Sequence, residues 1–154
     1  MHRLATTASP GDLDGEGAPF ITHPPARVVV LSSAPTDLLA LGGALRHRPS
    51  SLGPNLRGVP LASLTHPAVI DFYIRDALRH TRVLLVRLLG GRGHWSYGLE
   101  QLRHWQQAAP GRHLLILAGT PEEDDLLASL GSVPADRKST RLNSSHANIS
   151  YAVF

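Results

Sequence analysis

With 154 residues, 42% of them apolar, the chain has the length of one domain and enough apolar side chains for a single continuous core. It has no cysteine, which excludes a disulfide framework, a thiolate metal site and a cysteine nucleophile, and suits a reducing compartment. The net charge of +3 falls in the last stretch, where Arg137, Lys138 and Arg141 are the only charged residues after Asp136; the body balances, so no nucleic-acid partner is expected.

The opening Met1, His2, Arg3, Leu4 leads into Gly, Asp and Pro rather than an apolar run, unlike a signal peptide or anchor. No apolar run is long enough to cross a bilayer, so a cytoplasmic protein without a membrane partner is expected. Residues 1–25 read as an irregular lead-in rich in Gly, Pro and Asp. The β-branched run over 27–32 predicts a central parallel strand covered on both faces. Pro35 then opens a helix at a first-turn position, with Leu38, Leu41, Ala44 and Leu45 at helical spacing down to about Arg46.

Residues 56–64 could hold a second strand, which Gly58 and Pro60 demote to an edge or a loop. A helix beginning at Pro67 buries Ile70, Ile74, Ala77 and Leu78, with Phe72 and Tyr73 flanking and Asp71 four residues before Arg75 as an exposed pair. Strands follow over 82–89 and 113–118, separated by a helix over 97–108 that turns Leu99, Leu102 and Trp105 inward. A last helix is expected from an N-cap at Thr120, through Pro121, Glu122, Glu123 and Asp124, to Gly131. Alternation of this kind predicts an α/β fold: a flavodoxin-like doubly wound parallel sheet of three strong strands and one weak strand, with helices on both faces, over residues 26–135.

The order stops after Asp136. Residues 137–154 are polar, free of acids, and similar to the translated sequencing-adapter tails that end unrelated gene fragments. Residues 136–154 are therefore expected to be a non-native tail on a fragment of a longer protein, the alternative being a native C-terminus that is disordered or docks late.

In an open parallel sheet ligands bind outside the carboxyl ends of the strands. Candidate contacts there are Ser32 and Ser33 after the first strand, and Gly90, Gly91, His94, Trp95 and Tyr97 after the 82–89 strand. Aromatic rings beside glycines can stack on a planar ligand; equally, Trp95 and Tyr97 can fold back as a plug over the sheet edge, and Gly90 and Gly91 can simply supply positive φ. Ser32, Ser33 and Thr36 resemble a flavin phosphate loop only weakly, because Pro35 removes an N–H, and helix capping suits them better. No histidine pair has the spacing of a helix-borne metal site, and there is no Walker A or dinucleotide fingerprint. Neither a metal site, a catalytic residue nor a bound cofactor is therefore expected within this stretch.

Several segments resemble the large, CobN-type subunits of cobaltochelatase. They are Met1 to Leu4 with Thr6 and Thr7, the run from Pro25 to Ala34 with Thr36, Asp37 and Leu38, the stretch from Leu64 to Val69 with Asp71, Phe72 and Tyr73, and Leu88 to Gly91 followed by Trp95 to Leu102. The resemblance covers residues 1–135 in order and implies the N-terminal part of such a subunit. The family inserts cobalt into the corrin hydrogenobyrinic acid a,c-diamide during cobalamin biosynthesis. Its large subunit holds the tetrapyrrole, while the AAA+ partners CobS and CobT hydrolyse ATP. Cobalt and ATP would thus belong to the intact complex, and this fragment is not expected to act alone. The related magnesium chelatase large subunit, and a free-standing flavodoxin-like binding or docking module, are the alternatives.

Overall fold

The computed structural model describes residues 6–7, 20–47, 55–119 and 129–132. A short antiparallel pair, β1 (Thr6–Thr7) and β2 (Ile21–Thr22), precedes the main layer. There follow β3 (Val28–Ser32), α1 (Pro35–His47), β4 (Leu56–Pro60), α2 (Pro67–Phe72), β5 (Val83–Leu88), α3 (Ser96–Gln107) and β6 (His113–Ala118). The four long strands form one parallel sheet in the order β4-β3-β5-β6. The chain steps from β3 outward to β4, then crosses back over β3 to β5. That reversal puts α1 on one face and α2 with α3 on the other, as a single crossover hand requires.

The two faces bury different cores. Between α1 and the sheet, Leu38 and Leu41 of the helix meet Val30 and Leu56 of the strands, with Val28, Leu45 and Leu85 packed against them. The larger core, under α2 and α3, joins Val29, Leu31, Val59, Leu84, Val86, Leu88, Leu114 and Ile116 to Ile70, Tyr73, Leu78, Leu99, Leu102 and Trp105. Each such side chain contributes about 1.5–3 kcal/mol by leaving water. β3 is buried from Val29 to Ser32, the double coverage expected of a central strand. β5 instead alternates, with Val83, Leu85 and Arg87 only half-buried on the α1 face. The weak strand of the sequence is real and lies at the sheet edge, where Gly58 and Pro60 are tolerated. The helix expected over 120–131 lies outside the described residues except for its end; there Ser132 donates its N–H to the Leu114 carbonyl at 2.9 Å, and its hydroxyl accepts the Leu114 N–H at 2.7 Å.

α2 departs from its expected form. His66 caps it by accepting the Ala68 N–H at 3.2 Å, and Pro67 follows at the first helical position. After Phe72 the helix widens into one π-turn, Tyr73–Ala77, with the Leu78 N–H bonded to the Tyr73 carbonyl at 3.2 Å. The extra residue in the turn lets Tyr73 and Leu78 both face the core, so Tyr73 is fully buried rather than flanking. The anticipated Asp71–Arg75 pair does not form. Arg75 bonds Asp76, and Asp71 accepts the Tyr97 hydroxyl proton at 2.9 Å.

Tyr73 reaches its partner through the core: its hydroxyl lies 2.8 Å from His23 Nε2, while His23 Nδ1 lies 2.8 Å from the Pro24 carbonyl. A carbonyl only accepts, so Nδ1 carries the proton, and neutral Nε2 takes the hydrogen bond from the phenol. Burial pushes the Tyr73 phenol far above its usual range and, against the Pro24 bond, lowers the His23 pKa below 6.5. A depressed histidine stabilises the folded state fully above its unfolded value, and that stability is lost as pH falls below about 6.5 through the folded value. Denaturant midpoints taken at about pH 7.5 and about pH 5 should therefore fall more for the wild type than for His23→Gln, and equal losses would refute the role.

Candidate functional site

The carboxyl ends of β3 and β5 meet where the winding reverses, and two serines close that seam. Ser32, only 1% exposed, receives the Ala34 N–H at 3.0 Å and donates its hydroxyl to Asp37 Oδ2 at 2.7 Å, tying the strand end to the first turn of α1. Ser33 accepts the Leu89 N–H at 2.8 Å, its own N–H donates to the Arg87 carbonyl at 3.0 Å, and its hydroxyl lies 3.3 Å from that carbonyl. Arg87 projects from β5 and ion-pairs with Asp37. Both hydroxyls are thus engaged within the fold, Ser32 tying β3 to the start of α1 and Ser33 tying β3 to the end of β5.

Beyond β5 the chain turns on Gly90 and Gly91, whose φ values of 90° and 76° lie in the left-handed region that side chains disfavour. A short 3-10 turn, Arg92–His94, brings the exposed His94 ring over Gly90, 3.0 Å from where a Cβ would stand. The aromatic pair is then split. Trp95 is 8% exposed, and its Nε1–H donates to the Leu64 carbonyl at 2.7 Å. It is therefore a plug, as one of the two sequence readings had it. Tyr97 sits in the first turn of α3, is 37% exposed, and donates to Asp71. The Asp71 carboxylate, which accepts that proton, raises the Tyr97 pKa.

The structure brings Ser33 to Leu89 and His94 to Gly90, and holds Trp95 between Leu64 and Gly98. Gly90, Gly91, His94 and Tyr97 form the accessible part of the rim; Ser32, Ser33 and Trp95 support it from below.

Comparison with known proteins places this arrangement. The sequence is 36% identical over 137 residues to the aerobic cobaltochelatase subunit CobN of Pseudomonas aeruginosa, a match over 89% of this chain and 11% of that protein. It is 34% identical over 137 residues to CobN of a Sinorhizobium species, over 88% of this chain and 10% of that protein. The chain belongs to the CobN family of cobaltochelatase subunits. It spans about a tenth of the length of the curated relatives it matches. The fold is also that of part of the catalytic subunit of cobaltochelatase from Mycobacterium tuberculosis, at a TM-score of 0.53 and 23% identity, over 73% of this chain and 8% of that one. No family model matches the sequence.

Within this piece of a CobN subunit, no group of three or more His, Asp or Glu side chains among the described residues could hold a metal ion. No described helix is long and apolar enough to cross a membrane. Three features of the site were not read from the sequence. The Asp37–Arg87 pair joins positions 50 residues apart, and its one local clue is an arginine inside an apolar strand, which needs a counter-charge. Asp71 and Tyr97 meet only because α2 and α3 pack side by side. Gly98 is needed because a Cβ there would overlap the Trp95 ring.

Proposed function

We propose that this chain is the N-terminal α/β domain of a CobN-type subunit that binds the corrin during ATP-dependent insertion of cobalt into hydrogenobyrinic acid a,c-diamide. The observation that carries the reading is the 36% identity to a cobaltochelatase CobN subunit over 89% of the chain. The intact enzyme works in the cytoplasm with the AAA+ subunits CobS and CobT, which handle ATP. The domain does not insert cobalt alone; the metal ligands belong to the remainder of the subunit.

In this reading the rim of Gly90, Gly91, His94 and Tyr97 borders the corrin. Backbone N–H groups of the glycine turn and the His94 and Tyr97 side chains suit the amides and carboxylates at a corrin periphery, while Ser32, Ser33 and Trp95 hold the rim in place. In the intact subunit, changing both His94 and Tyr97 to Ala should weaken corrin binding about tenfold, read by equilibrium dialysis against corrin absorbance, with the circular dichroism spectrum retained. Unchanged affinity would remove the rim from the corrin site.

A second reading is favoured by the engagement of Ser32, Ser33 and Trp95 within the fold. The domain then docks other parts of the chelatase and touches no corrin. Deleting it would break assembly in size-exclusion runs and leave corrin affinity of the remaining chain intact.

A further inference from the structure

Arginines precede three of the strands at scattered places in the sequence, and the sheet lines them up. The register pairs Val28 with Val83 and Val83 with His113, so one residue earlier Arg27, Arg82 and Arg112 share a row. Their backbones are direct neighbours: the Arg27 carbonyl accepts the Arg82 N–H at 2.8 Å, and the Arg82 carbonyl accepts the His113 N–H at 2.7 Å. With strands about 4.8 Å apart, the row is roughly 10 Å long. Arg27, Arg82 and His113 are exposed, and Arg112 is half-buried. This edge lies at the opposite end of the strands from the rim proposed for the corrin.

Nothing within the described residues neutralises the row. The ion pairs there join Arg75 and Arg79 to Asp76 and Arg87 to Asp37, and none reaches Arg27, Arg82 or Arg112. Arg46, His47 and His104, in the last turns of α1 and α3, answer to the helix dipoles. The row cannot be explained that way, because strands have little net dipole and like charges on neighbouring strands repel. Arg112 is moreover held in place: its Nη1 donates to the Trp105 carbonyl at 2.7 Å, and its guanidinium stands 5.0 Å over the Trp105 ring. A row of guanidinium groups without counter-charges among the described residues, one of them held in place, is prepared for an anion.

We propose that this arginine edge docks a carboxylate-rich segment of another polypeptide. Guanidinium groups grip carboxylates through paired hydrogen bonds, and the strand spacing of about 4.8 Å that separates the backbones of neighbouring arginines approaches the roughly 5–6 Å between acidic side chains three or four apart on a helix. A surface that reads nucleic-acid bases would present an element to a groove or aromatic rings for stacking, and the row carries neither. The proposal is independent of the corrin reading, since it concerns the other edge of the sheet.

Fluorescence anisotropy of a labelled oligoglutamate peptide against the full 154-residue chain tests it. At about 50 mM salt the double variant Arg27→Gln, Arg82→Gln should bind about tenfold more weakly. Arg75→Gln, whose arginine is already paired with Asp76, should change binding less than about twofold. Should the double variant lose its circular dichroism spectrum, Arg27→Gln alone carries the test, with a loss of about threefold. Absence of wild-type binding, unchanged binding by the double variant (or by Arg27→Gln in its place), an equal loss in Arg75→Gln, or tighter binding of duplex DNA or of phosphatidylserine vesicles than of the peptide would each overturn the proposal.

Discussion

Trp95→Ala is expected to destabilise the domain by about 3–5 kcal/mol, the largest effect of any single substitution considered for it. The indole fills the space between the turn before α2 and the first turn of α3, in the same core as Leu64, Leu88, Leu99 and Leu102. Truncation loses the transfer energy of the ring and leaves a cavity, and the Leu64 carbonyl loses the Nε1–H bond of 2.7 Å. Two further variants separate these terms. Trp95→Phe keeps most of the volume and forfeits only the hydrogen bond, for about 1–2 kcal/mol. Gly98→Ala keeps the indole but sets a methyl group where the ring lies, so it should approach the truncation in cost. Guanidinium denaturation followed by far-ultraviolet circular dichroism gives all three values. A Trp95→Ala midpoint equal to the wild type would mean that the ring is not part of the core.

The second large effect concerns the ion pair at the switch in winding. Asp37→Ala should cost about 2–3 kcal/mol, because it leaves the Arg87 guanidinium and the Ser32 hydroxyl without their acceptor. The side chains of Arg87 and Asp37 are 25% and 19% exposed, so the cost lies below that of a fully enclosed charge. Arg87→Met should cost less, about 1–2 kcal/mol: it keeps an apolar stem over the sheet, and Asp37 still holds the Ser32 proton in the first turn of a helix, where negative charge is favoured. The double-mutant cycle should give a coupling of about 1–2 kcal/mol. A coupling near zero, or equal costs for the two single variants, would show that the pair does not hold β5 to α1.

The layered sheet is legible because three of its four strands carry apolar runs and two of its helices begin at prolines. Val28 to Leu31 is covered on both faces and reads so; Pro35 and Pro67 begin α1 and α2 as their fixed φ suggests. The seam was less legible. Ser33, Leu89 and Arg87 meet across a gap in sequence that no local pattern spans, and the hydroxyls at 32 and 33 look alike whether they face a ligand or their own backbone. The π-turn defeated helical spacing, since one inserted residue turned Tyr73 inward from its expected flank. Trp95 and Tyr97, two residues apart, read from the sequence as a pair with one fate, yet the helix that begins between them turns one ring into the core and the other toward water.

β3 and β5 carry their rim residues and their leading arginines on one continuous backbone of five or six paired residues, stitched past the last ladder bond by Ser33. At about 3.3 Å per residue the two ends of the layer stand roughly 17–20 Å apart. A polypeptide seated at one end and a macrocycle at the other would be kept at a constant separation by a stiff spacer, so the domain would act as a ruler within the larger assembly.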